Sequence, residues 1–258
     1  MGLTTEPDRV KSSSALVLAA LTPGRLAALL ANLPVDSRRG RPWSCSRRRR
    51  VLIACVALRT NLTMRELAAS FAISKSAVHR IVATLVPQLA SLANEDTASD
   101  RRWSWVVDGT LIPTRDHARA ARSKNYRWSC NAQLLIRRCD LRIVATAAGG
   151  PGNRNDPVHY RGSSIQPLCE RHARVLADGG YRGIHELATP IFRGRRILRD
   201  DAWRRHRKRR ARAEHAIARL KNWRVLRDHR RRGRHLADTV NAVAYLHNLQ
   251  VDDLRDNP

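Results

Sequence analysis

The chain lacks any apolar run long enough to span a membrane. Its stretch Ala15–Leu21 is seven residues long and is followed by Pro23, Gly24 and Arg25, against the roughly 20 that a spanning helix needs. A membrane-embedded role is thereby excluded. It also lacks paired cysteines: Cys45, Cys55, Cys130, Cys139 and Cys169 are an odd number without CxxC spacing, which indicates neither a structural zinc site nor a disulfide framework. Acid is scarce as well. Only 22 Asp and Glu stand against 49 Lys and Arg, giving a net charge of +27 and a pI near 11.6. Such an excess calls for a polyanionic partner, and nucleic acid fits, because phosphates are gripped bidentately by arginine and their counterions are released on binding.

What is present divides the 258 residues into two expected domains, 1–95 and 101–258. The first reads as all-helical, with Ala, Leu and Val at helical spacing. Thr22 and Pro23 open a helix that ends before Pro34, and a second apolar stretch covers Arg49–Arg59. Thr63 and Glu66 have the spacing of a capping box and open a short helix to about Phe71. Ser74 caps another, in which Ala77, Val78, Ile81, Val82 and Leu85 form a stripe. Two short helices around a tight turn predict a helix-turn-helix near 63–86. Its second helix begins with Lys75, Ser76, His79 and Arg80, side chains suited to base edges and phosphates.

The polar segment 93–102 reads as a linker. Beyond it, Trp103–Leu111, Asn131–Ile136 and Leu141–Ala147 predict three antiparallel strands, the last two joined near Asp140. Gly149–Ser164 reads as a long loop, Ile165–His172 as a short helix, and Arg174–Ala177 as a buried strand. A long helix is predicted over 201–227 and a last one over His235–Leu249. The combination gives an α/β domain with a mixed sheet. From Arg193 to His235 there are nineteen Lys and Arg against four acids, so more than half of the excess charge lies there. The clusters Arg47–Arg50, Arg204–Arg210 and Arg230–Arg234 suit phosphate contact, although any charge run can also be a solvated face.

Three acids stand apart from this background. Asp108 follows the apolar run Trp103–Val107, and Asp178 follows Val175-Leu176-Ala177; each precedes glycine. Glu214 lies within the most basic segment, with Arg210 one helical turn before it and Lys221 two turns after, roughly on one face. Singly, these have ordinary explanations, an Asp-Gly turn or a helix ion pair. Together they suggest a site for Mg²⁺ or Mn²⁺, which favour carboxylate oxygens. Two such ions activate an attacking oxygen and stabilise a leaving one in phosphodiester displacement.

The signatures Val107-Asp108-Gly109-Thr110, Leu176-Ala177-Asp178-Gly179-Gly180-Tyr181 and Arg210-(x3)-Glu214-(x6)-Lys221, continuing as Trp223-Arg224-Val225-Leu226-Arg227, resemble those of bacterial insertion-sequence transposases of the IS5 type, within the wider DDE group. The resemblance covers nearly the whole chain. It implies a helix-turn-helix domain before a ribonuclease H-like domain with a mixed five-stranded sheet. It further implies that Asp108, Asp178 and Glu214 are the catalytic triad and hold metal, two Mg²⁺ or Mn²⁺ ions. The implied substrates are double-stranded DNA, the element's terminal inverted repeats and the target. Arg210 and Lys221 would contact DNA. The separations of 70 and 36 residues suit the family.

The implied protein is a metal-dependent endonuclease and strand transferase, cytoplasmic and nucleoid-associated in a bacterium, acting as a homodimer or higher assembly on DNA. The alternatives are a DNA-binding regulator without catalysis and a ribonuclease H-like nuclease. Water and then the freed 3′-hydroxyl are the implied nucleophiles, so Tyr126, Tyr160, Tyr181 and Ser104 are not required for attack, nor is His215 expected to hold metal. The family often has tyrosine three residues before the arginine, where this chain has Arg207. The loop Gly152-Asn153-Arg154-Asn155-Asp156 resembles a family loop with a further acid, which makes Asp156 an accessory candidate.

Overall fold

The computed structural model describes residues 14–36, 42–94, 102–125 and 128–256. The linker acids Glu95, Asp96 and Asp100, together with Tyr126, lie outside them. Among the described residues five α-helices come first: α1 (14–19), α2 (Pro23–Asn32), α3 (Arg47–Thr60), α4 (Met64–Ser70) and α5 (Lys75–Ser91). Their ends follow the expected capping chemistry. The Thr22 side chain accepts from the Arg25 N–H, and Thr63 and Glu66 complete a reciprocal capping box. The Ser74 hydroxyl accepts from the Ala77 N–H at 3.1 Å. Helix α5 runs through Pro87 to Ser91, past the expected end, because Leu89 and Ala90 are buried in the shared core.

The second half contains β1 (Trp105–Pro113), β2 (Ser129–Arg137), β3 (Ile143–Pro151), α6 (Asp156–Tyr160), α7 (Gln166–Glu170), β4 (Val175–Leu176), β5 (Phe192–Arg193), β6 (Arg196–Ile197), α8 (Asp201–Leu220) and α9 (His235–Asp256). Strands β1–β3 form an antiparallel meander and β4 pairs parallel to β1, in the order β3-β2-β1-β4. The expected five-stranded sheet is therefore a four-stranded mixed sheet among the described residues, with β5–β6 as a separate pair. At the fifth position stands one parallel bridge, Leu176 to Ala188, in which Ala188 donates to Val175 O and accepts from the Ala177 N–H. Two residues on, Pro190 has no N–H to offer Ala177 O. That carbonyl bonds the His206 ring at 2.9 Å instead.

Other boundaries move for similar reasons. β1 runs from Trp105 to Pro113 rather than from Trp103 to Leu111, and Asp108, inside it, pairs across to Leu134. β3 extends to Pro151 and α6 follows, within what reads as one long loop. Helix α8 stops at Leu220, with Lys221 as its C-cap, and the backbone turns through 224–226. The turn buries Trp223 fully.

Period-two alternation sorts the sheet's two faces. Val106, Ile112, Leu134 and Ile136 join a core with α3, α5, α8 and α9, whereas Trp105, Val107, Leu135 and Val175 pack with Tyr160, Ile165 and Tyr181. The first of these cores is continuous from the N-terminal helices to the sheet. α9 is stitched to β3 by Asn248, which accepts from the Ile143 N–H at 2.8 Å and donates to its carbonyl at 2.9 Å. Among the described residues no helix is long and apolar enough to cross a membrane.

Candidate active site

The parallel pairing of β1 and β4 positions the site. Trp105 pairs with Val175 and Val106 with Leu176; two residues further along each chain come Asp108 and Asp178. Adjacent strands lie about 4.8 Å apart, so the carboxylates are neighbours. Asp108 is 8% exposed, and its carboxyl is pushed up to about 6, by burial first, with Asp178 and Asp156 adding to the push against the opposing pull of Arg210. Asp178 caps the turn Gly179–Tyr181, its Oδ1 accepting from the Gly180 N–H at 2.8 Å.

Glu214 is delivered by α8. This helix buries Ala213, Ala216 and Leu220 against the sheet, a spacing that forms one stripe. Its orientation is pinned at both sides: His206 bonds Ala177 O, and the Arg212 guanidinium donates to the carbonyls of Arg138 and Cys139 at 3.1 and 2.8 Å. Arg210 stands between the helix and the strand. Its guanidinium reaches Asp108 Oδ2 at 3.0 Å and Glu214 Oε1 at 2.8 Å, which links two of the three expected acids through a cation rather than directly. The Glu214 side chain is 62% exposed. Lys221 is half-buried, and desolvation, then the charge of Arg227, holds its ammonium below the usual lysine range.

Asp156 adjoins this cluster from the other face of the sheet: its charge reaches Asp108, but its contacts are with Gly109 and Gln133, which alternate with Asp108 and Leu134. Its Oδ1 accepts from Asn131 Nδ2 at 2.7 Å and Gln133 Nε2 at 3.0 Å, and the Tyr181 hydroxyl donates to Gln133 Oε1. A methyl group on Gly109 would lie 1.9 Å from Asp156 Oδ1, so the glycine admits the acid. Asn131 and Gln133 are not singled out by the sequence as site residues, and Tyr181 stands there only within the Asp178 signature and as a tyrosine not required for attack. The available signal was two amides in an otherwise apolar strand, each of which needs a buried partner. Arg207, where the resemblance expects tyrosine, lies 5.5 Å from the centre of the Trp203 ring.

The donor chemistry fits a divalent cation: crowded carboxylate oxygens whose mutual repulsion a double positive charge would relieve. Among the described residues no group of three or more His, Cys, Asp and Glu side chains converges as a ready metal cage. Asp108 feels the charges of both Asp178 and Asp156, and Glu214 is joined to it through Arg210.

Lys75, Ser76, His79 and Arg80 are exposed on the first turns of α5. Arg80 is not free-standing. Its guanidinium lies 4.5 Å from the Trp43 ring, which Arg50 also approaches at 4.7 Å. Between α4 and α5, Ala72 is left-handed at φ 48°, and the Ile73 N–H donates back to Ala68 O at 3.0 Å, closing the turn.

Residues 107–248 match the family described as DDE superfamily endonuclease. The chain belongs to that family. Residues 46–95, which include α3, α4 and α5, match the helix-turn-helix of DDE superfamily endonucleases. The chain is also similar to a putative transposase for insertion sequence element IS112 from Streptomyces albus G, 41% identical over 236 residues, covering 88% of this chain and 90% of the relative. In this DDE superfamily member the matched endonuclease region contains all four carboxylates just described.

Proposed function

We propose that this DDE superfamily endonuclease is an insertion-sequence transposase of the IS5 type. It cleaves the element's terminal inverted repeats and joins the freed 3′-hydroxyl to target DNA. The observation that carries the reading is that Asp108, within β1, and Asp178, two residues beyond its parallel neighbour β4, interact electrostatically, with Glu214 presented from α8. The similarity to a putative transposase over most of both chains supports it.

In this reading Asp108, Asp178 and Glu214 hold divalent metal, two Mg²⁺ or Mn²⁺ ions, which when bound polarise the phosphodiester and the attacking and leaving oxygens. The remaining work belongs to the chain. The amides of Asn131 and Gln133 fix Asp156 beside Gly109, and Asp156 in turn adds the negative charge that keeps Asp108 a strong donor. Arg210 and Lys221 engage DNA phosphates, the former from the position where it steadies Asp108 and Glu214. His206 and Arg212 hold the helix that presents Glu214. Residues 46–95 read the repeat, with Lys75, Ser76, His79 and Arg80 facing the major groove. Residues 107–248 cut and join. Pairing two element ends calls for a homodimer or higher assembly on DNA.

Strand transfer separates this reading from a plain nuclease. With Mg²⁺, a pre-cut element-end duplex bearing a 3′-hydroxyl should become joined to a supercoiled plasmid, and the same duplex with a 3′-deoxy terminus should not. Cutting of the uncut end without joining of the pre-cut one would make the protein a nuclease and overturn the transposase reading.

A further inference from the structure

Between β4 and α8 the chain builds a hairpin whose two faces differ. Phe192 pairs with Ile197 and Arg193 with Arg196, and the Leu198 N–H donates to Ile191 O at 2.9 Å, extending the ladder by one rung. Gly194, at φ 61°, makes the turn. Alternation puts Phe192 and Ile197 on one face and Ile191, Leu198, Arg193 and Arg196 on the other.

The inner face is seated at the candidate active site. A Cβ placed on Gly179, the residue after Asp178, would lie 3.1 Å from the Phe192 ring and 3.3 Å from Ile197. Arg182 covers the Phe192 ring at 4.6 Å and donates to Gly194 O at 3.0 Å, so the hairpin is braced as well as packed. The outer face stands in solvent. Ile191 is 61% exposed and Leu198 39%, the latter little more than Ile197 at 36% on the inner face, with the exposed guanidinium side chains of Arg193 and Arg196 beside them. Large aliphatic groups kept in water and rimmed by arginine mark a contact surface rather than a packing residue. The residues 190–199 carry four arginines and no acid, so the complementary partner is a polyanion with an apolar interior, which describes the stacked bases of DNA.

We propose that the outer face of this hairpin is a wedge that opens base pairs beside the phosphodiester held at Asp178. Ile191 and Leu198 enter the unstacked step, and Arg193 and Arg196 grip the phosphates on either side. Unstacking frees the phosphate to lie beside Asp178 and against Asp108, which is largely buried in the sheet. The proposal rests on the DNA-cutting reading given above and assigns this hairpin its part in it.

The test compares binding of the full chain to a short duplex of arbitrary sequence with binding to the same duplex carrying a central two-base bubble, by fluorescence anisotropy without metal. The wild-type protein should prefer the bubble about tenfold, since the cost of unstacking is removed. Ile191→Ser/Leu198→Ser should keep the affinity for paired duplex and lose the preference. Arg193→Ala/Arg196→Ala should weaken both complexes and reduce the salt slope by about 2. Both pairs are exposed, and an unchanged circular dichroism spectrum and melting temperature would exclude misfolding. Equal wild-type affinity for the two duplexes, or a preference retained by the double serine variant, would overturn the wedge. The preference does not depend on cutting. An intact preference in a protein that never cleaves supports the wedge and counts against the transposase reading, while cleavage without any preference overturns the wedge alone.

Discussion

Gly109 shows how little tolerance the candidate site has at the level of single atoms. A methyl group there would lie 1.9 Å from Asp156 Oδ1 and 2.7 Å from Gln133 Nε2, so Gly109→Ala must displace the acid or the amide that holds it. Overpacking of this kind costs about 1–3 kcal/mol, and a reacting group moved by an ångström loses about a hundredfold in rate. Plasmid or oligonucleotide cleavage should therefore fall by about that factor, with a melting temperature lower by several degrees. His229 supplies a second residue-scale prediction. Its ring is buried with Nε2 3.2 Å from Thr239 Oγ1, and burial first, then the charges of Arg231 and His235, lower its pKa to about 4. An unfolded histidine takes up a proton near 6.5. Between those values the unfolded state binds the proton that the folded state refuses, so stability is full above pH 6.5 and falls as pH drops toward 4, by about 3 kcal/mol in all. Urea midpoints measured from pH 7.5 to 5 should decline less steeply for His229→Gln than for the wild type; parallel profiles would remove His229 from the account.

At the scale of elements, the turn between α4 and α5 holds a strain that can be measured. Ala72 sits at φ 48°, which costs an alanine about 1 kcal/mol and a glycine almost nothing. Ala72→Gly should raise the melting temperature by about 2–4 °C and leave duplex binding unchanged; a lower melting temperature would contradict this. The helix boundaries here were legible because capping is local: Thr63, Glu66 and Ser74 act within three residues of themselves. Where the deciding partner is distant in sequence, the reading failed. The strand expected over Trp103–Leu111 runs on to Pro113, because Ile112 and Pro113 pair with Cys130 and Ser129. Helical spacing continues past Leu220, but burial of Trp223 and a bond from Arg227 Nε to Lys221 O turn the backbone. The fifth strand is reduced to a bridge by Pro190, whose missing N–H lets His206 take the Ala177 carbonyl.

For the whole molecule, the charge pattern is legible in the sequence, and the signatures around Asp108, Asp178 and Glu214 single those acids out as candidates. Asp108 and Asp178, 70 residues apart, meet because their strands are parallel neighbours. The arrangement of the fourth acid was not legible, since Asp156 owes its position to Asn131, Gln133 and the space left by Gly109. Nor was the common core in which the N-terminal helices join α8, α9 and one face of the sheet, because amphipathic stripes reveal which faces are buried and not what buries them. The central claim is that the acids brought to one sheet carry out DNA cleavage. Its most direct test is incubation of a duplex bearing the element's own end with Mg²⁺ and either wild-type protein or Asp178→Asn. The account predicts cleavage by the wild type, and retained binding with cleavage reduced at least a thousandfold in the variant, a loss of about 4 kcal/mol in transition-state stabilisation. Binding by both proteins with cleavage by neither, or equal cleavage by both, would contradict it.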